Sequence, residues 1–322
     1  MFLYTLAATA LSFPLVSASV NRRNEFPVFN QQFADPSVIE EADGSWYAFG
    51  TAAHGKHVQV AIGDCLYGDW VLLNDTDALL RPAAWTTGRN TWAPDVRRLA
   101  DGTYVMYYSG EVAQAPAHHC IGTAVSNVVY GPYVPDDEPF ACDLSIGGSI
   151  DPSGFEDADG RRYVLYKIDG NSIGHGGSCG NTNEPIQPTP IMLQEVDQDG
   201  VTKIGDPIAI LDRTDEDGPL VEAPSLVRTD GGMYILFFSS GCYYEPTYNV
   251  NYATSTSLTG PYERADDPMI RTGEWNLKAP GGATAVNVRN QVGIAYHANC
   301  GAGRCLHTSP TVINGRQVNV VI

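Results

Sequence analysis

Three acidic residues stand at matching places in this chain of 322 residues. Asp35 opens Asp-Pro-Ser in FADPSVIEEADG, Asp151 opens it again in SIDPSGFEDADG, and Glu222 precedes Ala-Pro in VEAPSLVRTDGG. One Asp before Pro is ordinary turn chemistry. Three carboxyls recurring at the repeat heads, Glu222 one position before the register of the other two, ask for a shared purpose. If they face one opening they repel one another, at least one holds its proton more tightly than usual, and an acid and a base coexist near neutral pH. A protonated and an ionised carboxyl side by side are the equipment for cleaving a glycosidic bond.

The elements that must position them come from a repeat. With Asp35, Ala93, Asp151 and Ala223 in register, each is followed by Pro, and each meets an Asp-Gly turn seven or eight residues later. The turns lead into SWYAFGT, TYVMYYS, RRYVLYK and MYILFFS. The heads lie 58, 58 and 72 residues apart, and a degraded fifth copy, APGGATAVNVRNQVGIAYH, spans 279–297. Aromatic and β-branched runs between Asp-Gly and Gly-Pro turns indicate strands. Five units of about 60 residues, each with room for four antiparallel strands, predict an all-β, five-bladed β-propeller. Its repeat heads ring one mouth of the central channel. The longer third interval holds a Gly/Asn/Pro-rich insertion at 170–190, read as a loop on one rim.

The formal charge of −18 argues against nucleic acid and anionic membranes as partners and suits a neutral polymer. Residues 1–18 are apolar and end in Val16-Ser17-Ala18, which predicts a signal peptide and a secreted propeller over 19–322. Seven cysteines follow: Cys65, Cys120, Cys142, Cys179, Cys242, Cys300 and Cys305. An odd number in an oxidising compartment leaves at least one unpaired. Cys300–Cys305 is the pair the spacing suggests, and no spacing resembles a zinc site. Asn74-Asp75-Thr76 is a glycosylation acceptor.

Over roughly residues 28–320 the chain resembles the family 43 glycoside hydrolases, five-bladed propellers acting on arabinose- and xylose-containing polysaccharides. The resemblance rests on Phe33-Ala34-Asp35-Pro36-Ser37 with Trp46 to Thr51, on Thr91 to Val96, on Ser149-Ile150-Asp151-Pro152, and on Val221-Glu222-Ala223-Pro224. It implies that Asp35 is the general base activating water, that Glu222 is the general acid, and that Asp151 raises the acid's affinity for its proton and orients the sugar. It implies inversion, with Asp35 and Glu222 about 6.5–9.5 Å apart. Arg304 in Gly-Ala-Gly-Arg-Cys resembles the family's active-site arginine. Many members hold a channel calcium with a His in the fifth head; here that stretch is Pro280 to Thr284, without His. No cofactor is expected to be required, and a calcium would have to find His297 instead.

From the residues themselves, Trp92 and Phe33, beside repeat heads, are candidates to stack on a sugar. His54, His297 and, in the insertion, His175 are candidates to reach it. The expected activity is an exo-acting α-L-arabinofuranosidase on arabinan or arabinoxylan, with the 170–190 insertion and the Ser240–Tyr244 loop closing a pocket. The alternatives are a β-xylosidase or endo-arabinanase of the same family, or a propeller that binds carbohydrate without turnover. Fructan-cleaving propellers carry Arg-Asp-Pro and Glu-Cys where this chain has Ile-Asp-Pro and Glu-Ala.

Overall fold

The computed structural model describes residues 27–289 and 291–321; the expected signal peptide lies outside them. Five antiparallel sheets follow one another along the chain. Blade one contains β1 (Ser37–Glu40), β2 (Trp46–Gly50), β3 (Gln59–Gly63) and β4 (Trp70–Leu72). Blade two contains β5 (Trp92–Arg98), β6 (Tyr104–Glu111), β7 (His119–Ser126) and β8 (Val134–Pro135). Blade three contains β9 (Ser149–Glu156), β10 (Arg162–Ile168), β11 (Ile191–Val196) and β12 (Lys203–Leu211). Blade four contains β13 (Val221–Arg228), β14 (Tyr234–Ser240), β15 (Asn249–Ser255) and β16 (Glu263–Arg264), with β17 (Ile270–Arg271) also paired to β15. Blade five contains β18 (Gly281–Val288), β19 (Gln291–Cys300), β20 (Gly303–Asn314) and β21 (Gln317–Val320). The architecture is the five-bladed propeller that the repeat predicts.

The second strand of each blade reads as a continuous apolar run because the blade packs against a neighbour on both faces. All eight residues of β6 are buried. The core divides into five clusters, one per blade interface. Phe49 and Val60 of blade one meet Met106 and Tyr108 of blade two, and Phe237 of blade four meets Ile294 and Tyr296 of blade five. Truncating one such ring to Ala costs about 3–5 kcal/mol. The ring closes where Val28 and Phe33 donate their amides to Leu306 and Arg304 of β20.

The Asp-Gly punctuation becomes four like hairpin turns. Gly44, Gly102, Gly160 and Gly232 take φ of 80–87°, a region open to glycine without a Cβ clash. The blade heads share a second device. Asp35, Ala93, Asp151 and Ala223 all have positive φ, between 41° and 56°. In blades two, three and four the pairing with the second strand skips a residue at that point, a β-bulge. Blade five differs from its sequence reading. Ala279 also has positive φ, at 46°, but the bulge falls between Gly281 and Thr284, so the head is Gly282, at φ 60°, with Ala283 in place of the proline.

Bulged heads turn their amides inward, onto side chains of the preceding blade. Ala93 N–H donates to Thr51 Oγ1 (2.9 Å), Asp151 N–H to Ser109 Oγ (3.0 Å), Gly282 N–H to Ser239 Oγ (2.9 Å) and Asp35 N–H to His297 Nδ1 (3.1 Å). Thr51, Ser109, Ser239 and His297 hold equivalent places near the end of their blades' second strands. The blade-three equivalent is Lys167, which has no acceptor to offer. There the Ala223 amide donates instead to Asp151 Oδ2, at 2.9 Å.

Three disulfides join Cys120–Cys142, Cys179–Cys242 and Cys300–Cys305, leaving Cys65 free and exposed.

Candidate active site

The inward belt of blade heads places Asp35, Asp151 and Glu222 around one cavity of about 390 Å³, together with Trp92, Lys167 and Arg304. The cavity opens at the channel mouth formed by the heads. One wall comes from the 170–190 insertion and the 240–244 loop. The Cys179–Cys242 disulfide ties these together, and Tyr244 Oη accepts the Cys179 amide at 3.1 Å.

Asp35 is built as a carboxylate. Thr51 Oγ1 donates to its Oδ2 at 2.6 Å, and Arg304 Nη1 lies 3.3 Å from its Oδ1. Burial works against the charge, but the Arg304 guanidinium and the Thr51 hydroxyl hold the group below its ordinary value. His297 Nδ1 lies 3.3 Å from Asp35 Oδ1, yet this is not an ion pair. That nitrogen accepts the Asp35 amide, so the ring is neutral, and burial together with the nearby Arg304 pushes its pKa down to about 3. The charge that steadies Asp35 is therefore that of Arg304.

Asp151 is the opposite case. Burial first, and the neighbouring Glu222 second, push its pKa well above the carboxylate range, against the pull of Lys167. Asp151 therefore holds its proton more tightly than Asp35 does. Glu222 receives Tyr248 Oη–H on Oε1 at 2.8 Å and Lys167 Nζ on Oε2 at 3.3 Å. Glu222 thus stands between a hydroxyl and an ammonium. Tyr248 stays protonated, its pKa driven well up by burial and by Glu222. Across the cavity a readily ionised Asp35 therefore faces a proton-holding Asp151 with Glu222 beside it, a split that acid–base cleavage of an acetal can use.

Of the other sequence candidates, Trp92 lines the cavity, with one face stacked on His119 at 3.5 Å between ring centroids. Arg304 lines it too, its guanidinium 5.0 Å from the centre of the Tyr243 ring. Phe33 does not: it is fully buried, edge-on to Phe29 in the cluster between blades five and one. His54 lies exposed in the turn after β2, away from the cavity. His175, also exposed, bonds the Pro185 carbonyl within the insertion. His297 is fully buried behind Asp35 and stacked against Tyr248, so it supports the site without lining it. Lys167, Tyr248 and His119 were missed. For Lys167 the signal was in plain sight, since three aligned runs end in Thr51, Ser109 and Ser239 and the fourth in a lysine.

Among the described residues no group of three or more His, Cys, Asp or Glu side chains is placed to hold a metal ion. His297 Nε2 is buried without a hydrogen-bond partner. One imidazole is not a cage for calcium, which takes roughly six to eight oxygen ligands, so the side chains present do not fit a protein-held calcium.

A propeller whose channel mouth sets a readily ionised carboxyl against a proton-holding one, with an indole face beside them, is of the glycosidase class. Comparison with known proteins makes the assignment narrower. The model of the glycosyl hydrolases family 43 matches residues 24–319, and the chain belongs to that family. An extracellular endo-α-(1→5)-L-arabinanase of Bacillus subtilis is 26% identical over 92% of this chain and 90% of its own length. A probable arabinan endo-1,5-α-L-arabinosidase C of Aspergillus flavus is 26% identical over 91% of this chain and 83% of its own. Among solved structures, a thermostable family-43 glycoside hydrolase superposes with a TM-score of 0.76 at 23% identity, covering 89% of this chain and 92% of that one.

Proposed function

We propose that the protein is a secreted, inverting hydrolase of α-1,5-linked L-arabinan. The observation that carries the reading is the meeting of Asp35, Asp151 and Glu222 at one cavity, with Asp35 and Asp151 of opposed proton affinity. Asp35 takes a proton from water as that water attacks the anomeric carbon. Glu222 delivers a proton to the departing glycosidic oxygen, and Asp151 shares that proton until the oxygen arrives. Trp92 and Arg304 hold the sugar. Every bond made or broken is served by these carboxyls without a cofactor, and dialysis against a chelator is expected to leave the rate unchanged. Three disulfides fit an extracellular site of action.

The full-length relatives named as endo-arabinanases favour arabinan as substrate and attack within the chain. A second reading, exo attack releasing single arabinose units, is favoured by the wall that Cys179–Cys242 braces on one side of the cavity. Products from linear 1,5-α-L-arabinan decide between them. A ladder of oligomers with a rapid fall in viscosity supports the endo mode, and arabinose alone supports the exo mode. Absence of hydrolysis of any arabinan or xylan, with binding retained, overturns both.

A further inference from the structure

In four of the five blades a residue near the end of the second strand accepts the next blade's head amide: Thr51, Ser109, Ser239 and His297. Lys167 breaks the pattern where the next head adjoins Glu222. Its side chain is fully buried, and burying an ammonium costs several kcal/mol unless it is paired. A serine there would satisfy the Ala223 amide without that cost. The lysine instead surrenders the amide to Asp151 Oδ2 (2.9 Å) and spends its own donors on Asp169 Oδ1 (3.1 Å) and Glu222 Oε2 (3.3 Å).

We propose that Lys167 is a positioning residue that makes proton release from the Asp151–Glu222 pair possible. The inference rests on the glycosidase reading of this site. When the pair gives its proton to the leaving oxygen, two carboxylates are left within a buried cavity. The Lys167 ammonium, held by Asp169, neutralises the second charge as it forms. It also aims Glu222 from one side while Tyr248 fixes it from the other. The charged and titratable groups facing this arrangement are Asp151 on β9, Asp169 beyond β10, Glu222 on β13, Tyr248 before β15, Arg304 on β20 and Asp35 ahead of β1. Lys167 stays charged there: burial opposes it, but Asp169, Glu222 and Asp151 outweigh burial.

The sign follows from electrostatics. A cation beside a carboxyl pair eases loss of the pair's proton, so removing it makes the pair hold that proton to higher pH. In Lys167→Met the alkaline limb of the kcat/KM profile on arabinan moves up by about one pH unit, and kcat falls about 10- to 100-fold with KM changed less than about threefold. Asp169→Asn frees the lysine from its other partner, and the limb moves the opposite way. A titration of side-chain carboxyl ¹³C signals reads the same two shifts without turnover, so a wild type inactive on arabinan refutes the proposed function while the titration still decides the role of Lys167. A folded Lys167→Met whose limb and carboxyl titration superimpose on the wild type overturns the proposal. If that variant does not fold, Asp169→Asn decides alone: a downward shift supports the role, and none overturns it.

Discussion

Tyr248 donates its hydroxyl hydrogen to Glu222 at 2.8 Å while its ring lies against His297, the residue that accepts the Asp35 amide. One buried ring thus touches the supports of both halves of the site. Tyr248→Phe keeps the ring and removes the bond to Glu222. Net hydrogen bonds to charged groups contribute about 1.5–3 kcal/mol, so kcat on arabinan is expected to fall roughly 10- to 100-fold. The melting temperature should move by only a few degrees. A melting curve beside steady-state rates checks both, and an unchanged kcat means the hydroxyl does not serve Glu222.

The glycine pair at the fifth head is a packing requirement. A methyl group on Gly281 would lie 1.9 Å from Tyr248 Cε1, and one on Gly282 would lie 2.7 Å from the His297 ring and 3.0 Å from Asp35 Oδ1. Gly282 also has φ 60°, which strains any residue with a Cβ. Gly282→Ala is expected to lower stability by about 1–3 kcal/mol and to lower kcat by displacing Asp35. Urea unfolding gives the first quantity and initial rates the second.

These two glycines also show where the sequence was legible. Asp35, Asp151 and Glu222 stood out because a proline and an Asp-Gly turn mark four heads. The fifth head has neither mark, so the Ala279-Pro280 dipeptide drew the register three residues too early. The bulge that sets it depends on pairing between Gly281 and His297, a contact invisible in local composition. Phe33 was misplaced for a related reason. It precedes a head by two residues, and only the closing contact of residues 28–33 with β20 decides that its ring turns into the core. Tyr248 lies outside the repeated segment altogether, and its partnership with Glu222 is made by the folded ring.

Arg304 sets the acidic side of the pH profile. It holds Asp35 below its ordinary value, so wild-type activity is expected to persist into acid where an ordinary aspartate would be protonated. In Arg304→Met, burial acts with less opposition and the acid limb of kcat/KM is expected to move up by about one to two units. Stability follows the same linkage. A carboxyl with a depressed folded value contributes stability that is full above its unfolded value and is lost as pH falls through the folded one. The variant's loss of stability on acidification should therefore be shallower than the wild type's, as urea midpoints between about pH 2 and 5 would show.

The Cys179–Cys242 bridge closes a loop of 63 residues, worth about 4 kcal/mol of unfolded-state entropy. Replacing both cysteines by serine is expected to lower the melting temperature by several degrees and to raise KM for arabinan more than it lowers kcat. Loss of kcat alone would place the bridge's role elsewhere than in the cavity wall.

The division of labour between Asp35 and Glu222 is tested most directly by comparing leaving groups. A nitrophenolate departs with little help from an acid, whereas the alkoxide of an arabinan chain needs its proton. Glu222→Ala should lose about 10³-fold or more on linear arabinan but far less on 4-nitrophenyl α-L-arabinofuranoside, while Asp35→Ala, lacking the base, should lose both alike. Equal losses on the two substrates for Glu222→Ala, or substantial arabinan cleavage by Asp35→Ala, would contradict the assignment.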